Sequence, residues 1–195
     1  MIKNGDLFGT PPSGIIAKLA CRILKARTFH WGLILGQDKD GYISSESIGK
    51  GTAVTRFAYN KAYIYRIKKL KHEPYMYRLI SFHSQHGEAT YDMQVNFLTG
   101  IWFLFKHYLK IVLPIIKNHT FNCQEHVVYM ASCMGVKIIG EDEYPYCINL
   151  ENSKELEFIG EWRNNLFYPA VKVENPDSCT KVCECGEDCC KDTSL

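Results

Sequence analysis

The hydrophobic pattern of this chain changes period several times along its length. The run Trp31-Gly32-Leu33-Ile34-Leu35 is short and almost wholly apolar. With Thr28 before it and Gly36-Gln37-Asp38 after it, it predicts a buried strand over 31–37. A turn at Asp38-Lys39-Asp40-Gly41 follows, and 42–48 is expected to fold back on the first strand as a hairpin. Further strands are expected over 53–57 and 62–70, and short edge elements over 146–150 and 166–173. Helical spacing appears over 11–25, with Ile15, Ile16, Leu19, Ala20, Ile23 and Leu24 on one side and Pro11 and Pro12 at the start. A second helical pattern covers 73–86, with Met76, Leu79, Ile80 and His83 at suitable spacing. A third begins at Cys123 and sets Val127, Met130, Ala131 and Met134 on one apolar face.

Residues 97–116 are the most apolar stretch. Lys106, His107 and Lys110 sit in its middle and Pro114 interrupts it, which argues against a membrane span. Phe97, Ile101, Leu104, Phe105, Tyr108 and Val112 make one stripe, read as core packing. The alternative is a lid, or a membrane-surface contact that would associate the protein peripherally with lipid.

Composition narrows the function classes. With 195 residues, 46% of them hydrophobic and 13% aromatic, the chain can bury one substantial core and is not a disordered segment. The net charge of +2 gives no reason to expect a nucleic-acid partner. Met1-Ile2-Lys3-Asn4-Gly5-Asp6 carries no apolar leader, so a cytoplasmic protein is expected. After Pro176 the character changes, because five of the nine cysteines, Cys179, Cys183, Cys185, Cys189 and Cys190, crowd into a segment too poor in apolar residues to build a core. The expected organisation is a domain over 1–175 and a Cys-rich flexible tail over 176–195. The tail is either a soft-metal site, zinc being the natural ion, or a flexible acidic segment that oxidises easily. Its spacings lack the paired Cys-x-x-Cys knuckles of a zinc ribbon.

Two local contexts carry chemistry. In Phe121-Asn122-Cys123-Gln124-Glu125, Asn122 is placed as the N-cap and Glu125 closes a capping box, so Cys123 opens the helix. A sulfur there faces unpaired backbone N–H groups and the positive end of the helix dipole, both of which favour thiolate over thiol. His30 heads the buried strand as the candidate base, and Glu46 on the next strand is the candidate to fix its tautomer. Each has a plainer reading: Cys123 a small buried hydrophobe, His30 a satisfied core or edge residue, Glu46 a surface strand residue. Cys21 and Cys133 lie in helical patterns and read as core.

Taken together, these segments resemble the permuted papain-like cysteine hydrolases, the NlpC-type superfamily in its YaeF/YiiX-like branch. Gly5-Asp6-Leu7-Phe8 is similar to the family's opening strand, and His30-Trp31-Gly32-Leu33-Ile34-Leu35 to the His-x-Gly-aliphatic strand. Glu46 with Gly49-Lys50-Gly51 resembles the Glu strand and its glycine turn. Tyr91-Asp92 and Cys123-Gln124-Glu125 resemble the Tyr-Asp segment and the Cys-x-Glu helix. The family's helix commonly reads Tyr-Cys-Ser-Glu-Leu, whereas here Asn122 precedes the cysteine and Gln124 and His126 follow it.

The resemblance implies an α+β papain-like domain, with an antiparallel sheet or small barrel packed against the helix that bears the cysteine. It further implies a cysteine hydrolase with Cys123 as nucleophile, His30 as base and Glu46 as orienter. Such an enzyme would need no cofactor and would cleave a peptide, amide or acyl-ester bond through an acyl thioester. It also implies that the helix over 11–25 flanks the active-site mouth. A lipid-directed acyltransferase or lipase of the same fold, and a non-catalytic binding or structural protein that kept the fold, are the alternatives.

Overall fold

A computed structural model describes residues 1–48, 51–70, 122–140 and 145–171. Seven strands form one sheet in which every neighbouring pair is antiparallel. They are β1 (Leu7–Thr10), β2 (His30–Asp38), β3 (Gly41–Ile48), β4 (Gly51–Arg56), β5 (Lys61–Ile67), β6 (Leu156–Arg163) and β7 (Leu166–Pro169). Their order is β4-β3-β2-β1-β5-β6-β7, so among the described residues this is a sheet with two edges. Among the described residues three helices accompany it: α1 (Ile15–Leu24), α2 (Cys123–Cys133) and α3 (Cys147–Glu151). The class is α+β.

The central strands are apolar at successive positions because both sheet faces are covered. Leu7, Trp31, Leu33, Tyr65 and Ile67 face one core, where Val127, Met130 and Ala131 of α2 and Leu150 of α3 complete the packing. Phe8, Ile34, Ala62, Ile64 and Trp162 form the opposite core with Ile2 and Phe57. Alternation along each strand therefore sorts large side chains to two apolar sides rather than to core and water. Asp6 anchors the start of β1. Its buried carboxylate takes Arg66 Nε and Nη2 at 2.9 and 2.7 Å and the Lys3 N–H at 2.7 Å, tying β1 to β5.

The hairpin that carries the site closes as expected. Asp38 pairs with Gly41, and Asp38 Oδ1 accepts the Asp40 N–H at 2.9 Å, an Asx-type turn. Gly41 sits at φ 127°, which a side chain would strain.

Other expectations need revision. The first helix runs from Ile15 to Leu24, and Lys25 ends it in a left-handed cap at φ 54°. Its buried residues are Ala17 and Cys21, not the large aliphatics. Cys133 is half-buried, while Cys21 is core. The segment expected as an edge element over 146–150 is the short helix α3, and β6 had no counterpart in the sequence pattern. The helix over 73–86, the apolar stretch 97–116, Gly49 and Lys50, Tyr91, Asp92 and the five tail cysteines lie outside the described residues. Among the described residues no helix is long and apolar enough to cross a membrane.

Candidate active site

Cys123 stands at the first position of α2 because Asn122 caps the helix. Asn122 Oδ1 accepts the Glu125 N–H at 2.7 Å, and Glu125 Oε2 accepts the Asn122 N–H at 3.0 Å. This reciprocal box engages two N-terminal donors, and the N–H groups of Cys123 and Gln124 complete the first turn beside the sulfur.

The helix is seated on the sheet by polar contacts that involve the two atypical residues after the cysteine, Gln124 and His126. Ser45 Oγ lies 2.8 Å from His126 Nε2 in the buried layer between β3 and α2. Gln124 Nε2 donates to the Phe29 carbonyl at 2.9 Å, and the Cys147 thiol donates to the same oxygen at 3.3 Å. Cys123 Sγ is 3.9 Å from it. One carbonyl, that of the residue before His30, thus joins the helix start to the strand that carries the imidazole. Gln124 and His126 depart from the resembled motif, and here they fix where the helix begins relative to β2.

The loop before β2 is held with comparable care. Glu151 of α3 accepts the Arg27 N–H at 2.8 Å, the Thr28 N–H at 2.7 Å and the Thr28 hydroxyl at 2.6 Å. Thr28 Oγ1 in turn accepts Trp31 Nε1 at 2.9 Å. These bonds, made by a mostly buried carboxylate, restrict the backbone that presents His30.

His30 opens β2 and Cys123 opens α2, so their side chains meet where strand and helix begin. The Cys123 side chain acts on the ring and raises its pKa. The ring's Nε2 lies 2.8 Å from Glu46 Oε2. An ionised carboxylate only accepts, so the neutral ring carries its proton on Nε2 and leaves Nδ1 as the acceptor for the thiol. Burial pulls the His30 pKa down. The hydrogen bond to Cys123 and then the bond to Glu46 outweigh it, and the imidazole is raised to about 10.

Glu46 is 2% exposed and accepts four hydrogen bonds. Ser44 Oγ at 2.5 Å and Thr55 Oγ1 at 2.9 Å reach Oε1, while His30 and the Tyr59 hydroxyl reach Oε2. Burial raises its pKa, and the bonds from His30, Ser44 and Tyr59 more than reverse that, so the carboxyl is held below its usual range.

Strand register explains the geometry. Glu46 lies opposite Gly32, two residues along from His30, so all three share one sheet face. A Cβ at Gly32 would stand 2.4 Å from Phe8 Cζ and 2.9 Å from Glu46 Cγ. The glycine of the His-x-Gly pattern therefore clears the space that the carboxylate and the Phe8 ring occupy.

The three residues singled out in the sequence, Cys123, His30 and Glu46, are brought together. Sequence reasoning missed Tyr59, in the loop between β4 and β5. Its ring lies 6.0 Å from that of His30 and 5.4 Å from that of Phe8, and burial and Glu46 raise its phenol pKa well above the ordinary value. No motif marks it. Ser44 was within reach, since it shares the Glu46 face two residues back. Thr55 needed the β3–β4 register, where it lies opposite Ser44.

Among the described residues no group of three or more His, Cys, Asp or Glu side chains is arranged to hold a metal ion. No family model matches the sequence, and no curated protein matches it.

Proposed function

We propose that this chain is a papain-like cysteine hydrolase that cleaves an amide, peptide or ester bond through an acyl thioester on Cys123. The observation that carries the reading is His30 set against two partners, the Glu46 carboxylate 2.8 Å from Nε2 and the Cys123 side chain, which acts on the ring and raises its pKa. A histidine packed only for structure does not need a saturated, ionised carboxylate behind it and a cysteine in the first turn of a helix beside it. The order of base strand before nucleophile helix, on an antiparallel sheet, supports the resemblance to the permuted NlpC-type proteins.

In the reaction the Cys123 sulfur attacks the carbonyl carbon, and its proton resides on His30 Nδ1. The oxyanion develops beside the first turn of α2, where the Cys123 and Gln124 N–H groups are the donors in reach. His30 then gives its proton to the departing amine or alcohol as the carbon–heteroatom bond breaks. A water, deprotonated by His30, adds to the thioester carbon, and the sulfur leaves to regenerate the site. Glu46 keeps the ring oriented and stabilises the imidazolium in both halves. Transfer to an acceptor other than water would make the same site an acyltransferase.

Intact-protein mass spectrometry after exposure to acyl-ester and peptide libraries tests this. The expected result is an acyl adduct on the wild-type protein that is absent in Cys123→Ala and strongly reduced in His30→Ala. Iodoacetamide labelling of Cys123 no faster than of an ordinary thiol, and no slower in His30→Ala, would overturn it in favour of a non-catalytic protein.

A further inference from the structure

Helix α1 wears its amphipathicity inside out. Its buried residues are the small Ala17 and Cys21, whereas Ile15 is 87% exposed, Ile16 85% and Leu19 56%. At about 100° per residue, the direction midway between Ala17 and Cys21 is about 180° from Leu19. Leu19 thus points away from the sheet, and Ile15 and Ile16 lie on the same outward side. Single exposed apolar residues are ordinary on a protein surface, but a whole helix face of them marks a contact surface.

Charge indicates the partner. Lys18, Arg22 and Lys25 are exposed on the same short helix and its cap. Residues 11–29 contain four basic residues, Lys18, Arg22, Lys25 and Arg27, and no acidic one, in a chain whose net charge is only +2. An aliphatic face bordered by cations fits the boundary of an anionic bilayer, where the side chains enter the acyl region and the cations meet lipid phosphates. A second copy of this chain would bring like charges together, which disfavours self-association through this face.

The position matters for the site. The Cys21 thiol donates to the Thr28 carbonyl at 3.2 Å, so α1 is tied to the loop that leads into His30. Phe29, 41% exposed, stands between that loop and the imidazole.

We propose that the outward face of α1, Ile15, Ile16 and Leu19 flanked by Lys18, Arg22 and Lys25, docks the protein on anionic lipid bilayers and holds the start of β2 at the membrane surface. The face exists whether or not Cys123 turns over, so the inference goes beyond the catalytic reading and stands apart from it.

Sedimentation of the full chain with phosphatidylcholine vesicles, with and without about 30% phosphatidylserine, tests it. Binding is expected to the anionic vesicles only, weakening as salt rises. Ile15→Ser/Ile16→Ser is expected to lower the vesicle partition coefficient by about tenfold or more, with an unchanged thermal melt and unchanged Cys123 alkylation. Lys18→Gln/Arg22→Gln is expected to weaken binding and flatten its salt dependence. Cys123→Ala is expected to bind like the wild type. No binding to anionic vesicles, or undiminished binding by the isoleucine variant, overturns the proposal. So does a dimer, seen by analytical ultracentrifugation, that the isoleucine variant abolishes, because the face would then join two copies. Loss of acyl-adduct formation with vesicle binding intact would count against the catalytic reading alone.

Discussion

Replacing Glu46 by Gln removes one charge while keeping the side chain's shape, and it probes the His30–Glu46 pair directly. The wild-type carboxylate receives donors at both oxygens, Ser44 and Thr55 at one, His30 and Tyr59 at the other. An amide cannot accept all four, because whichever way it lies its NH2 faces two donors. The hydrogen bond from the imidazolium loses its charge assistance, worth about 1.5–3 kcal/mol. Since about 1.4 kcal/mol corresponds to one pH unit, the His30 midpoint should fall by roughly one to two pH units. It should remain above the ordinary 6.5, because the hydrogen bond to Cys123 is the larger of the two upward influences and survives. The pH at which the Cys123 alkylation rate responds to loss of the imidazolium should shift down by the same one to two units, from about 10 in the wild type, whereas near about pH 6 the ring stays charged in both proteins. The assays are an NMR titration of 15N-labelled imidazole and a pH series of alkylation rates. An unmoved His30 midpoint, or an alkylation profile that breaks at the wild-type pH, would refute the orienting role of Glu46.

Gly32→Ala should destabilise the fold by about 1–3 kcal/mol in urea titration and slow Cys123 alkylation, because the added methyl meets Phe8 at 2.4 Å and Glu46 at 2.9 Å. Under native conditions near neutral pH, Cys21 and Cys147 should resist iodoacetamide while Cys123 carries the label, as peptide mapping by mass spectrometry would show. Burial, with Glu151 a lesser cause, lifts the Cys21 thiol to about 11, and burial, with Cys123 a lesser cause, lifts Cys147 well above its ordinary value. Stability should depend on pH in a defined window. The raised His30 value contributes stability that is complete below 6.5 and lost as pH rises through about 10. The depressed Glu46 value contributes stability present above 4.5 and lost as pH falls through its folded midpoint. Unfolding free energies should therefore plateau between these limits and decline on the alkaline side, a decline that His30→Ala should lack.

Much of the site was legible because its signals are local. A capping box is encoded within four residues, so Asn122 and Glu125 announce that Cys123 opens a helix, and the bonds of 2.7 and 3.0 Å realise it. The turn before Gly41 and the apolar run after His30 announce a buried hairpin, and strand alternation then puts Glu46 within a hairpin's reach of His30. Tyr59 was illegible because nothing adjacent to it in sequence refers to Glu46; only the path of the β4–β5 loop brings its hydroxyl to that carboxylate. The orientation of α1 was illegible for a related reason. Periodicity reports that a helix has an apolar side, not which way that side faces, and here the sheet receives Ala17 and Cys21 instead.

The sequence by itself determined where the cysteine helix and the β2–β3 hairpin begin and turn, and which three residues carry the side chains that the proposed nucleophile, base and orienter need. Those properties follow from capping, hydrogen-bonding capacity and side-chain period, all of which act over a few residues. Tertiary structure alone decided that Gly32 makes room for Glu46 and that the Phe29 carbonyl joins the helix to the strand. It also decided that Gln124 and His126 seat the start of the Cys123 helix and that the aliphatic face of α1 looks outward. These are contacts between segments distant in the chain, set by how two cores share one sheet, and no short-range pattern encodes them.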